Sequence, residues 1–140
     1  MKYLLDVNAL IALGVHDHEF HQRISFWLLA LTRNAPNGDL PELAACPISE
    51  LGFVRIVSQL GSYNVNVTAA RALLARLQAS RRYRFRFLPD MLGASQLPVW
   101  VKNPKQVTDG HLLGLARAHG AVLATLDDGI PGALLIPALT

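Results

Sequence analysis

The stretch KYLLDVNAL, residues 2–10, decides how the chain is read. Residues 2–5 are strand formers with no polar alternation, the signature of a strand covered on both faces, as in a parallel sheet. Asp6 ends that run and Asn8 follows two positions later. The next residues, NALIALGV, predict a short helix. Asp6 is therefore either the cap of that helix or one wall of a polar site at the strand's carboxyl end.

Working outward, the same unit recurs. Phe20, Ile24, Trp27, Leu28 and Leu31 fall at helical spacing and predict an amphipathic helix over about residues 18–33. NAPNGDLPE is a loop by its Pro, Asn and Gly content. LAAC, residues 43–46, predicts a second buried strand. A helix follows, with Pro47 at its start, Ser49 as a cap and Gly61 as its stop. TAARALLARLQAS predicts a helix capped by Thr68. RRYRFRFLPD alternates and predicts a strand. After a long Pro-interrupted loop, VTDGHLLGLARAHG predicts a helix capped by Thr108 and stopped by Gly120. AVLATL is a buried strand, DDGIPG a turn and ALLIPA a last short strand. The order βα(α)βααβαββ predicts a parallel sheet with helices on both faces.

Composition bounds the rest. The 140 residues, 51% of them hydrophobic, suit one domain with a full core. A formal charge of +3 is compatible with a phosphate-bearing partner but does not demonstrate one. Cys46 is the only cysteine, so neither an internal disulfide nor a cysteine zinc cluster is available, and its apolar setting predicts a buried thiol. No apolar run approaches the roughly 18 residues of a membrane span, and no signal peptide is evident, so a cytoplasmic location is expected.

The chain has only ten acids, and several fall where a parallel sheet binds ligands. Asp6 ends the first strand, Glu50 lies in the first turns of the helix after the second, Asp109 opens the helix before the fourth, and Asp127 and Asp128 follow the fourth. Ligands of open α/β sheets bind beyond the carboxyl ends of the strands, where strand order reverses. Carboxylates gathered there repel one another and stay ionised when a cation sits among them. With no His or Cys cluster alongside, an all-oxygen ligand set selects Mg²⁺ or Mn²⁺. Such a site suits phosphodiester hydrolysis. Each acid alone has a plainer reading: Asp6 as a cap, Glu50 and Asp109 as first-turn residues favoured by the helix dipole, and Asp127 and Asp128 as a turn.

Four segments resemble the PIN-domain ribonucleases, and within them the VapC-type toxins of toxin–antitoxin systems. LLDVNALIAL is similar to the family's opening strand and D-x-N/D element. HEFHQRISFWL resembles the H-x-x-H and Trp signature, and CPISELGFVRI the C-P-[ST]-x-E-x-G-F-x-R-I stretch. TDGHLLGLARAHGAVLATLDDGI resembles the D-x-x-L-L-x-L-A helix and the strand ending in T-x-D. Together they run from Leu4 to Ile130, and the resemblance implies a single PIN domain over residues 1–140. The resemblance implies a PIN-like three-layer α/β/α sandwich with a parallel sheet of order 3-2-1-4-5. It also implies Mg²⁺- or Mn²⁺-dependent endonucleolytic RNA cleavage, a VapB-type antitoxin partner and a homodimer. The family's acids map onto Asp6, Glu50, Asp109 and Asp127, with Asp6, Asp109 and Asp127 as metal ligands and Glu50 direct or through water. Asn8 and Thr125 match supporting polar positions. Asp128 departs from the pattern, and Asp127 is favoured as the inward acid because it completes T-x-D.

Other residues carry weaker signals. Arg82, Arg84 and Arg86 alternate with Tyr83, Phe85 and Phe87, as on a charged edge strand or an RNA-contacting one. Lys102 and Lys105 precede Asp109 and are placed to hold substrate phosphates. His18 and His21 read as structural or surface residues; His111, two residues after Asp109, is in reach of substrate but reads as a surface residue. An aspartyl-nucleophile phosphohydrolase is disfavoured, because position 8 is Asn and no Lys follows Lys105. A catalytically inactive PIN-fold binding module and a housekeeping RNA-processing nuclease are the alternatives, the first opposed by the presence of all four acids.

Overall fold

The computed structural model describes all 140 residues. Ten main elements follow one another: β1 (Lys2–Leu5), α1 (Val7–Gly14), α2 (His21–Asn34), β2 (Glu42–Ala45), α3 (Pro47–Gln59), α4 (Val67–Gln78), β3 (Arg84–Phe87), α5 (Val107–Ala118), β4 (Val122–Thr125) and β5 (Leu134–Leu135). The five strands form one sheet of order β3-β2-β1-β4-β5. Every pairing is parallel. The chain moves outward from β1 through β2 to β3, then returns to place β4 on the other side of β1, so strand order reverses between β1 and β4.

The two faces of the sheet are separately packed, as the apolar strands require. Leu5, Leu43, Ala45 and Ala124 belong to a core shared with α1–α4, where Phe53, Trp27 and Leu28 are buried. Leu4, Ala44 and Leu123 point the other way, onto Leu112, Leu113, Leu115 and Ala116 of α5. This alternation makes three layers. Cys46 is fully buried in the α5-side core. Tyr3 meets Trp27 edge-on, with ring centroids 5.0 Å apart. No helix is long and apolar enough to cross a membrane.

Several local expectations are corrected. Asn66, not Thr68, caps α4: its side-chain oxygen accepts the Ala69 N–H at 2.8 Å. Thr108 does not cap α5 either, because a turn at Pro104–Gln106 already carries the chain into the helix at Val107. That turn is closed by Gln106 Oε1, which accepts the Lys102 N–H at 2.7 Å. Residues 18–20 lie outside α2, which starts at His21. Only Arg84–Phe87 of the alternating segment is strand, at the sheet edge, where Arg86 pairs with Glu42 of β2 at 2.9 Å. Cys46, not Ser49, is the N-cap of α3; Ser49 sits one turn in and its hydroxyl accepts the Cys46 N–H at 2.9 Å. Gly120 takes the left-handed conformation, φ 66°, that ends α5.

Candidate active site

The register of β1 on β4 builds the site. Leu5 lies opposite Ala124, so Asp6 and Thr125 meet at the carboxyl end of the two strands flanking the reversal. Asp6 is 6% exposed and Thr125 1%. One Asp6 oxygen accepts the Ala9 N–H at 2.8 Å and caps α1. The other accepts the Thr125 hydroxyl at 2.5 Å. Thr125 Oγ1 in turn accepts the Asp127 N–H at 2.9 Å. One buried hydroxyl thus ties both acids to the crest. Asp127 also closes its own turn, accepting the Gly129 N–H at 2.8 Å. Asp128 is exposed beside it, without a side-chain hydrogen bond or ion pair to Asp6 or Thr125.

Asp109 enters from the first turn of α5, half-buried. Burial pushes its carboxyl above the ordinary value, and the charges of Asp6 and Asp127 push it further. Asp6 is raised too: burial is the main cause, the Thr125 and Ala9 hydrogen bonds oppose it, and the Asp127 charge adds to it. The three carboxylates therefore act on one another across the crest. No group of three acidic, His or Cys side chains is drawn together at metal-ligating spacing. The donor set nonetheless fits a hard divalent cation, because the groups that share the charge repulsion are all carboxylate oxygens, and a cation is what relieves it.

The other expected residues divide. Glu50 lies in the first turn of α3, where Gln78 Nε2 of α4 donates to its Oε2 at 2.6 Å. Asn8 is exposed and lines a cleft of about 310 Å³ with His18, Glu19, Phe20, Leu126 and Asp127. Lys102 and Lys105 are exposed on the segment leading to α5. His18 and His21 are structural, as read: His18 Nδ1 accepts the Phe20 N–H at 3.0 Å, and His21 Nδ1 donates to the Ala12 carbonyl at 2.8 Å.

Two residues gained importance only in three dimensions. His111 is not a surface residue; its Nε2 lies 2.5 Å from Asp90, with both side chains mostly buried. Burial raises the Asp90 carboxyl, but the hydrogen bonds from His111 and the Leu92 N–H and the charges of His111 and His119 outweigh it, leaving Asp90 below its ordinary value. That pair pins the loop after β3 to α5, two residues from Asp109. Glu19 carries no motif, so only the folded turn between α1 and α2 reveals it beside Asp127.

A parallel sheet of order 3-2-1-4-5, with acids at its switch point, defines a PIN-type α/β protein. Comparison with known proteins agrees. No family model matches the chain. The chain is 36% identical over 146 residues to Ribonuclease VapC29 of Mycobacterium tuberculosis, covering 100% of each. It is 40% identical over 129 residues to Ribonuclease VapC38 of the same organism, covering 91% of this chain and 86% of that one. The chain belongs to the VapC ribonuclease family. Among solved structures it is similar in fold to VapBC2 from Rickettsia felis bound to a promoter DNA fragment, with a TM-score of 0.58, 16% identity and coverage of 96% and 97%. DNA-bound VapBC from Salmonella typhimurium gives a TM-score of 0.53 at 17% identity, covering 96% of both chains.

Proposed function

We propose that the chain, acting as a single PIN domain, is the toxin of a VapBC-type module and hydrolyses RNA phosphodiester bonds endonucleolytically with Mg²⁺ or Mn²⁺. The observation carrying this reading is the Asp6–Thr125–Asp127 bridge at the switch point, with Asp109 facing it through charge. Asp6, Asp109 and Asp127 are the proposed metal ligands. Glu50 is the fourth acid, direct or through water, with Gln78 orienting it. When bound, the ion lowers the pKa of an attacking water and neutralises charge at the leaving oxygen. The chain's own part is to hold its acids ionised and fixed. The Thr125 hydroxyl and the Ala9 N–H favour the charged form of Asp6 against its burial. Asn8 lies beside Asp127, where its amide can hydrogen-bond the water shell. Asp128 is proposed only as a supporting acid next to Asp127. Lys102 and Lys105 are proposed to meet substrate phosphates.

A VapB-type antitoxin is the proposed partner, supported by the VapBC assemblies among similar structures. An apolar groove between α2 and the chain end, lined by Phe26, Trp27, Ala30 and Leu139, suits such a partner. A homodimer and a cytoplasmic location complete the proposal.

The test is RNA cleavage by purified wild type, Asp6→Asn and Asp109→Asn. Both variants are expected to fold and to lose cleavage, and EDTA is expected to stop the wild type, with Mg²⁺ or Mn²⁺ restoring it. Retained cleavage by the variants overturns the site, and chelator-resistant cleavage overturns the metal.

A further inference from the structure

A second polar pocket, of about 310 Å³, opens where α1 ends, and Gly14 is part of its wall. Its polar lining includes His16, His21, Ser25, Arg76, Ser80 and Arg82, and no Asp or Glu lines it. Arg76, in the last turn of α4, and Arg82, just before β3, form no ion pair. His21 donates its Nδ1–H to the Ala12 carbonyl and its Nε2 is paired with the Ser25 hydroxyl 3.4 Å away, so these two side chains form a fixed part of the pocket wall. His16 sits at the rim, 91% exposed, with Asp17 at 3.9 Å outside the pocket. Two guanidinium groups that form no ion pair line this pocket, and their planar forks match phosphate oxygens.

The pocket lies within a strand's reach of the acids. The eight residues of α1 separate Asp6 from its far end, about 12 Å at the helical rise. Between the two lies the α1–α2 turn, whose His18 and Phe20 line the cleft of Asn8 and Asp127. On the other side of that turn the His16 and His21 rings stand 4.8 Å apart. Single-strand grooves engage several nucleotides, about 4–16 per fold, by cationic contacts and aromatic stacking.

We propose that the pocket beside His21 holds, through Arg76 and Arg82, a backbone phosphate of the RNA strand a few nucleotides from the scissile bond. The proposal rests on the ribonuclease reading and adds a specific backbone subsite to it. The test compares wild type with Arg76→Gln/Arg82→Gln. Cleavage of a long RNA and of a tetranucleotide spanning the same bond is measured, together with binding of the long RNA by fluorescence anisotropy in EDTA at several salt concentrations. The variant is expected to keep its melting temperature and kcat, to raise KM several-fold for the long RNA and to leave the tetranucleotide unaffected. Its log–log salt slope should fall by about 0.7, the value for one phosphate contact on a single strand. Arg76→Lys/Arg82→Lys should restore the slope. An unchanged slope, or equal losses on both substrates, overturns the subsite. A wild type that cuts neither RNA while the slope still shifts overturns the nuclease reading and leaves the subsite standing.

Discussion

Replacing Thr125 by Val tests whether the buried hydroxyl tunes the site or merely fills space. Valine preserves the shape, so no cavity opens. What is lost is the O–H that Thr125 donates to Asp6 and the oxygen that accepts the Asp127 N–H. A hydrogen bond to a buried charged group contributes about 1.5–3 kcal/mol. The Asp127 amide is only part-buried, and water replaces its partner at little cost. A loss of about 2 kcal/mol is therefore expected at neutral pH. For a chain of this size that lowers Tm by about 5–8 °C. The second consequence is specific to the site. The Thr125 bond holds the Asp6 carboxyl down against burial and the Asp127 charge. Without it, Asp6 rises further above the ordinary value. In the proposed mechanism Asp6 acts in its ionised form, so the acidic limb of the pH–rate profile is expected to move to higher pH. Apparent Mg²⁺ affinity should fall by about 10–100-fold, as when partners of metal ligands are removed. Thr125→Ser, which retains the hydroxyl, should restore the limb and most of the affinity. Thermal melts, Mg²⁺ titrations and pH profiles of the three proteins check this. A destabilised Thr125→Val protein whose acidic limb and Mg²⁺ affinity match wild type would refute the reasoning.

Two further outcomes follow from the same packing and charge. Asp109 has a folded-state pKa above its ordinary 3.8, so the metal-free native protein binds the proton more tightly than the unfolded chain. Stability must then fall as pH rises from about 3.8 through the folded value, with the full penalty present at neutral pH. Asp109→Asn is expected to melt higher than wild type in EDTA at neutral pH, the difference vanishing below about 3.8; an equal or lower Tm at neutral pH would contradict the repulsion. At Gly110 a Cβ would come within 2.4 Å of Val101 Cγ2, so Gly110→Ala should cost about 1–3 kcal/mol in chemical denaturation and weaken cleavage by shifting Asp109.

The apolar, unalternating β1 and β4 were legible because burial on both faces writes a continuous hydrophobic run. The helices were legible from spacing, although Asn66 displaced Thr68 as a cap because its oxygen reaches the Ala69 amide. The candidate acids stood out because carboxylates at strand ends are scarce and therefore informative. His111 was misread as a surface residue because its partner Asp90 lies 21 residues away, beyond any local pattern. Glu19 was missed for the same reason.

By itself the sequence determined that Asp6 follows the first strand of a parallel sheet and that four more acids sit near the carboxyl ends of its strands or at the starts of its helices. Whether Asp6 was a cap or a site residue was not determined, and the tertiary structure makes it part of both. One oxygen caps α1 and the other meets Thr125, which arrives from 119 residues away. Local composition can specify what a strand end carries. Only the pairing of β1 with β4 brings two such ends together, and only their closeness turns separate acids into groups that shift one another's charge.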